Sequence, residues 1–410
     1  MNAAPERKMK YIVLLGDGMA DDPQAERGGR TPLELAATPN MDRIADHGRI
    51  GLARTAPPDM EPGSDVANMS ILGYDPEKYY TGRAAIEAAA LGIRLGPDET
   101  ALRCNLVTLG GEAPDLVMAD YSGGHPTAPE QRAIVESLGR ELGSDALRFV
   151  PGVSFRNICI VRGFSGAPSL KPPHDHAGKR VAEIMPSGPG AESITELTEK
   201  SQAVLRDHPV NRARRAAGKA PINSIWLWGL GRAAALPSFR ERHGLTGAVI
   251  TGVDLVRGLA RLLDLEIIPV PGATGYVDTN FEGKARAALD ALDRVEFVFL
   301  HVEAPDEAGH EGDLDLKIQA IADFDRRTVG PVLSGLARFP DYRVLVMPDH
   351  ETPVKERGHR GHPVPYAVAS KSDLLKPAAH AHGFSENAAR QAGAEPEPAP
   401  TLLEARLFCC

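Results

Sequence analysis

Tyr11-Ile-Val-Leu-Leu-Gly-Asp-Gly18 is an apolar run that ends in a carboxylate flanked by glycine. Five consecutive apolar residues with no polar alternation read as a buried strand. Asp17 stands just past that strand, and Gly18 lets the chain turn sharply. Taken alone, an Asp in this place is most simply a cap or turn residue.

The same kind of run recurs at Ser224–Trp228, Ala248–Thr251, Glu266–Val270, Phe297–His301 and Tyr342–Met347. Helical patterns lie between the strands, at Thr38–Gly48, Leu255–Leu263, Lys284–Leu292 and Leu314–Leu336. Alternating strands and helices predict an α/β fold, a mostly parallel sheet flanked by helices. Such a sheet gathers functional groups on the loops beyond the carboxyl ends of its strands. Residues 81–219 break the rhythm, with shorter strands at Leu102–Leu109 and Asn157–Val161 and Pro/Gly-rich joints. The expected layout is a discontinuous catalytic domain, 1–80 and 220–410, with a smaller α/β substrate-binding domain, 81–219, inserted into it. A length of 410 residues fits about two domains. Met1–Lys8 reads as disordered, Gly190–Arg215 as helix, Ala394–Pro400 as a linker or tail, and Cys409-Cys410 as a frayed end.

Apolar residues make up 42% of the chain and charged residues 25%, as in soluble globular proteins. A net charge of −9 argues against nucleic acid and acidic membranes as partners, because both need basic surface. A small anion can still be held by a local cluster of Arg, Lys and metal. No apolar run approaches the roughly 20 residues of a membrane span, and no signal-peptide core is visible. The expected location is the cytoplasm. The four cysteines show no C-x-x-C spacing, so neither a disulfide framework nor a thiolate zinc site is expected.

Metal-type ligands follow several of the strands. Phe299-Leu-His-Val-Glu-Ala-Pro-Asp-Glu-Ala-Gly-His310 spaces Asp306 and His310 four apart, which on a helix puts both on one face. Leu345-Val-Met-Pro-Asp-His350 ends a strand with Asp349 and His350, and Gly358-His-Arg-Gly-His-Pro-Val-Pro365 adds His359 and His362. Each window alone reads as a turn or a surface pair. Together with Asp17 they would meet at one sheet edge. Mixed carboxylate and imidazole donors suit Mn²⁺, Zn²⁺ or Mg²⁺, and a pair of ions can clamp both oxygens of an in-line phosphoryl transfer.

Pro62-Gly-Ser-Asp-Val-Ala-Asn-Met-Ser70 supplies a nucleophile. Gly63 permits a tight turn, and Ser64 would then stand at a helix N-terminus, where free N–H groups stabilise negative charge. A nearby cation would activate the hydroxyl. An ordinary helix cap is the plainer reading of this window alone. No G-x-S-x-G elbow is present, which disfavours a Ser-His-Asp hydrolase.

With these stretches assembled, the sequence resembles the archaeal-type 2,3-bisphosphoglycerate-independent phosphoglycerate mutases of the alkaline phosphatase superfamily. The resemblance rests on GDGMADDP (16–23), TPNMDRIA (38–45), PGSDVANMSILGYDP (62–76), YTGRAAIEAAALGI (80–93), PGATGYVDTN (271–280), HVEAPDEAGHEGDLDLKI (301–318) and PDHETPV (348–354). It implies an alkaline-phosphatase-like fold with two divalent metal ions, Mn²⁺ first, with Mg²⁺, Zn²⁺ or Co²⁺ also compatible. It implies Asp17, Ser64, Asp349 and His350 as ligands of one ion, and Asp306, His310 and His359 as ligands of the other. Ser64 would carry the phosphoryl group as phosphoserine between 3- and 2-phosphoglycerate, without bisphosphoglycerate. In that family the last ligand loop usually reads His, Ser/Thr, any residue, Asp/Asn, Pro-Val-Pro. Here His362 fills the acid or amide slot, so His359 is expected as the ligand and His362 stays open.

A small phosphorylated substrate with a carboxylate calls for Arg and Lys forks. From the inserted domain, Arg83, His125, Arg156, His174 and Lys179 are the substrate-binding candidates, and Asp175 is the candidate general base. A salt bridge or turn role competes for each. Trp226 and Trp228 read as packing or loop anchors. Two other functions compete with the mutase. One is a related phosphotransferase, since similar bacterial relatives with HPVN (208–211) and WLWG (226–229) stretches have been proposed as homoserine kinases. The other is a metal-binding regulator without catalysis. The oligomeric state is open.

Overall fold

The computed structural model describes residues 9–393 and 395–409, so the readings of Met1–Lys8 and of Cys410 lie outside the described residues. The strands in chain order are β1 (Lys10–Gly16), β2 (Arg49–Arg54), β3 (Glu99–Gly110), β4 (Val117–Asp120), β5 (Leu147–Val153), β6 (Arg156–Arg162) and β7 (Ser224–Arg232). They continue with β8 (Gly247–Ile250), β9 (Glu266–Ile267), β10 (Phe297–Val302), β11 (Tyr342–Met347), β12 (Val364–Ser370) and β13 (Glu397–Pro398).

Two compact units result, one from the chain up to Tyr80 and from Leu236 onward, the other from Thr81–Ala235. The division falls after Ala235, not at the expected 219/220. The reason is β7. It is a strand, as its apolar run predicts, but it pairs antiparallel with β3 and belongs to the second unit's sheet.

The first unit holds an eight-stranded sheet in the order β13-β2-β12-β11-β1-β10-β8-β9. β1 pairs in parallel with both β10 and β11, and β12 runs antiparallel to its neighbours. Ile12–Leu15, Phe297–Leu300 and Val344–Met347 expose 0% of their surface, as expected for central strands covered on both faces. In the register, Leu15 lies opposite both His301 and Met347. The residues that leave these three strands therefore emerge side by side at one edge.

Several local readings are corrected. The long helical pattern of Leu314–Leu336 is interrupted by a π-type turn at Asp325–Val329. There the Asp325 carboxylate accepts from the Asn40 and Met41 N–H groups and so caps the helix Pro39–His47. Gly190–Arg215 is two helices, because Pro209 begins the second with the His208 side chain as its cap. The strand expected at Glu266–Val270 shortens to β9. The supposed linker forms β13 along β2, and Phe408, just before the expected frayed end, packs its ring on Tyr11, Phe239 and Phe297.

Behind the sheet edge, the fully buried Lys317 ammonium donates to the carbonyls of Ala20 and Thr352 and to the Asp21 carboxylate. Glu386, also buried, accepts from the Asp21 N–H and the Thr31 hydroxyl.

In the second unit, β3 pairs with β6 and β7 along its length and with β4 at its end, and every pairing is antiparallel. Ile134 and Leu138 of one helix and Ile194 and Leu205 of another cover one face. No helix among the described residues is long and apolar enough to cross a membrane. Cys104 and Cys159 are buried free thiols and Cys409 is exposed.

Candidate metal centre and serine nucleophile

Asp17 leaves β1 with its N–H donated to the Val302 carbonyl. Gly18 follows at φ 61°, and its N–H donates to Asp349 Oδ1 at 3.1 Å. A Cβ on Gly18 would come within 2.6 Å of Asp306 Oδ1 and Thr352 Oγ1, so only glycine lets the backbone pass this close. Asp349 Oδ2 accepts from Asn68 Nδ2 at 2.9 Å, and the same amide donates to the Ser64 carbonyl at 2.8 Å. Ser64 is the first residue of the helix Ser64–Ile71, whose N-terminus has no side-chain cap. Its hydroxyl lies 3.1 Å from His350 Nε2. The serine is therefore directed at the carboxylates and imidazole rather than folded back as a cap.

Asp306 and His310 share the helix Ala304–Glu311, and His310 Nε2 sits 3.2 Å from Asp306 Oδ2. His310 Nδ1 is 3.0 Å from the Arg357 carbonyl, a contact that needs the proton on Nδ1. Its Nε2 nevertheless faces His359 Nε2 at 2.9 Å, with Asp306 Oδ1 3.6 Å from the latter. Two imidazole nitrogens and a carboxylate converging in this way form a donor set that fits a divalent cation. Thr352 Oγ1 contacts both Asp306 Oδ1 and His350 Nδ1 and so joins the two groups of candidate ligands.

Ligand atoms of Asp306, His350 and His359 lie within 4.8 Å of one another, and so do those of Asp17, His301 and Asp349. Asp17 Oδ1 is buried and has no hydrogen-bond partner, which a metal ion would satisfy. Burial, then the Asp349 and Asp306 carboxylates, push the Asp17 carboxyl well above the usual range. Burial acts the same way on Asp306, but the His310 hydrogen bond and His350 outweigh it and hold that carboxyl low. His359 is pushed down to about 4 by burial and by His350, which leaves it a neutral donor. His362 stands apart, largely exposed, with Nδ1 3.0 Å from Glu351 Oε2. Of the two histidines left open above, His359 is the one among the ligand atoms.

A cationic cluster occupies the second unit. Glu87 is shared by Arg83 at 3.1 Å and Arg103 at 2.9 Å. The Arg103 guanidinium lies 3.8 Å from the Trp228 ring centre, and His174 meets the same ring edge-on at 5.2 Å. Trp228 is oriented by its Nε1–H, donated to Asn105 Oδ1. His125 sits in the left-handed region at φ 49°, on a loop that Asp120 ties through Ser122 and Gly124, and packs with Arg156 about Phe155. Burial lowers Arg103 to about 10, and Arg83 and Arg156 add to the shift against Glu87. His174 is lowered by burial despite Asp175 beside it. Such crowding of positive charge favours an anionic ligand. Asp175 is exposed next to His174, and Lys179 is exposed on the following turn with no side-chain ion pair among the described residues.

The 2,3-bisphosphoglycerate-independent phosphoglycerate mutase family matches residues 45–211. The mutase of that name from Methanothrix thermoacetophila is 52% identical, over 88% of this chain and 91% of its own. The one from Methanosarcina barkeri is 48% identical, over 93% and 95%. This chain belongs to the 2,3-bisphosphoglycerate-independent phosphoglycerate mutase family. Two solved structures resemble it over nearly their full lengths. The PH0037 protein of Pyrococcus horikoshii is 30% identical with TM-score 0.79, covering 97% of this chain and 96% of that one. The cofactor-independent phosphoglycerate mutase of Thermoplasma acidophilum is 26% identical with TM-score 0.67, covering 97% and 98%. Divalent-metal use, without bisphosphoglycerate, goes with this family.

In this family member several site residues escape the sequence reading. His301 and Thr352 join the ligand atoms by hydrogen bonds. A histidine at the end of an otherwise apolar strand run was the available signal for His301. Asn68, one turn after Ser64, was visible only as a polar residue on the helix that Ser64 begins. Arg103 lies inside a strand reading and carries no local signal at all.

Proposed function

We propose that this chain interconverts 3-phosphoglycerate and 2-phosphoglycerate through a phosphoserine at Ser64, using two divalent ions, Mn²⁺ first. The observation that carries the reading is the Ser64 hydroxyl at a helix N-terminus, 3.1 Å from His350 Nε2, in a chain of the mutase family. Asp17, Asp349, His350 and Ser64 would hold one ion, and Asp306, His310 and His359 the other. Bound divalent ions would supply the charge that activates the serine hydroxyl and offsets that of the phosphoryl oxygens.

The rest of the chemistry falls to the chain. The N–H groups of the first helical turn face the phosphoryl oxygens. Asn68 holds the Ser64 carbonyl and Asp349 in one arrangement. The Ser64 Oγ–P bond forms as the bond from phosphorus to the 3-oxygen of glycerate breaks, and the proton that leaves Ser64 Oγ is balanced by the one the 3-oxygen gains. In the return step the glycerate 2-oxygen bonds phosphorus as the Oγ–P bond breaks; the 2-hydroxyl gives up its proton, for which Asp175 is the candidate base, and Ser64 Oγ regains one. We assign recognition of the carboxylate and phosphate to Arg83, Arg103, Arg156, His125, His174 and Lys179 of the second unit. A cytoplasmic location goes with this reading.

The test is a paired assay on the metal-loaded protein. Conversion of 3-phosphoglycerate without bisphosphoglycerate, abolished by chelation, supports the mutase. Phosphohomoserine from ATP and homoserine, with no conversion, would replace it by a kinase. Turnover of neither substrate would leave a metal-binding regulator.

A further inference from the structure

His301 stands near the end of β10, wholly buried between two residues on adjacent strand ends. Its Nε2 lies 2.8 Å from Asp17 Oδ2, beyond β1, and its Nδ1 lies 3.2 Å from Thr251 Oγ1, beyond β8. The partners favour one tautomer. Thr251 Oγ1 accepts the Val253 N–H at 3.0 Å and has His301 Nδ1 in contact to take its own proton, while Nε2 faces a carboxylate oxygen that accepts. Nδ1 is then unprotonated, and the ring carries its proton on Nε2, directed at Asp17 Oδ2. The position of the residue is pinned further by the buried Lys284 ammonium, which donates to the His301 carbonyl at 3.2 Å. With Oδ2 occupied, the other oxygen of Asp17 is the buried atom left without a hydrogen bond, and it faces His350 Nε2 at 3.4 Å.

We propose that His301 is a positioning residue, not a metal ligand: Thr251 sets its tautomer, and its Nε2–H locks one oxygen of Asp17 so that the other is presented to the ion. This rests on the reading of Asp17 as a ligand. It also resolves an ambiguity of geometry, since His301, Asp17 and Asp349 lie close enough to form a three-residue site by themselves. An Nε2 that carries a proton has no lone pair to give an ion.

The test is Mn²⁺ titration followed by electron paramagnetic resonance, with ¹⁵N-histidine NMR on the Mg²⁺-loaded protein. His301→Ala should weaken one of the two Mn²⁺ sites about 10- to 100-fold and leave the other unchanged. His301→Gln, whose amide reaches the position of Nε2, should recover most of the loss. Thr251→Val should give a smaller loss that Thr251→Ser repairs. The NMR spectrum should show Nε2 protonated with and without Mg²⁺. Unchanged Mn²⁺ affinity in His301→Ala overturns the proposal. So does loss of one ion in both the Ala and Gln variants together with an Nε2 that loses its proton on adding Mg²⁺. Should His301→Ala fail to fold, the NMR tautomer and the Thr251 pair decide alone. Asp17→Asn separates the two readings. If it binds both ions as wild type does, the ligand assignment itself falls and this proposal with it. If it loses one ion while His301→Ala loses none, only the positioning role falls.

Discussion

Ser64 Oγ and His350 Nε2 face each other at 3.1 Å, across a contact that joins a helix N-terminus to the loop after β11. A capping serine would turn its oxygen back to its own helix. This one is turned to a residue 286 positions away. Ser64→Ala should therefore reduce turnover by about 1,000-fold or more while the melting temperature of the metal-free protein stays near wild type. A steady-state assay beside a thermal melt checks both halves.

Asn68 holds Ser64 and Asp349 with one amide. Asn68→Ala removes a hydrogen bond to a carboxylate, worth roughly 1.5–3 kcal/mol. Turnover should fall about 10- to 100-fold, with a smaller change in KM. Asn68→Asp should be worse, because it sets a second negative charge against Asp349.

Arg103 lies over the Trp228 ring, with Glu87 paired to its Nε. Arg103→Met keeps much of the packing and removes the charge. Its expected effect is a rise in KM of about 10-fold or more with a lesser change in kcat, since the role assigned to it is substrate binding. Arg103→Lys should not restore wild-type KM, because an ammonium lacks the planar fork. A loss confined to kcat would point to another role.

An ion held by the candidate ligands would couple metal binding to the fold at the sheet edge. Removing divalent ions with a chelator should lower the melting temperature and abolish activity, and Mn²⁺ should restore both. Differential scanning calorimetry with and without Mn²⁺ measures the first effect.

Glu386 gives a pH signature away from the ligands. Burial raises its carboxyl from 4.5 to about 7, against the hydrogen bonds from Thr31 and Asp21. Between those two values the unfolded chain has released a proton that the folded chain keeps. Stability from this group therefore falls as pH rises from about 4.5 to about 7, and is level above that. Glu386→Gln should flatten this part of the profile and gain stability relative to wild type at pH 8. Urea melts across the pH range would show it.

The sheet was legible because its central strands are covered on both faces and read as unbroken apolar runs. Tyr11–Leu15 and Phe297–His301 needed no partner to be recognised. β7 was legible as a strand but not as to its sheet, since an apolar run carries no record of its neighbour. The candidate ligands Asp17, Asp306 and Asp349 were visible because each follows a strand, and parallel register brings them together. His301, Asn68 and Thr352 were not, because each acts through a hydrogen bond to a residue far away in sequence: Asp17, Asp349 and Asp306. Arg103 is the extreme case: only the crossing of β3 and β7 gives it Trp228 as a platform.

The central claim is phosphoryl transfer through Ser64 between the two oxygens of glycerate. Its most direct test is to incubate the Mn²⁺-loaded protein with 3-phosphoglycerate alone, quench, and quantify 2-phosphoglycerate by ³¹P NMR. The account predicts an equilibrium mixture from wild type, and none from Ser64→Ala or from chelated protein. Formation of 2-phosphoglycerate by Ser64→Ala at the wild-type rate, or none by wild type with any of Mn²⁺, Co²⁺, Mg²⁺ and Zn²⁺, would contradict it.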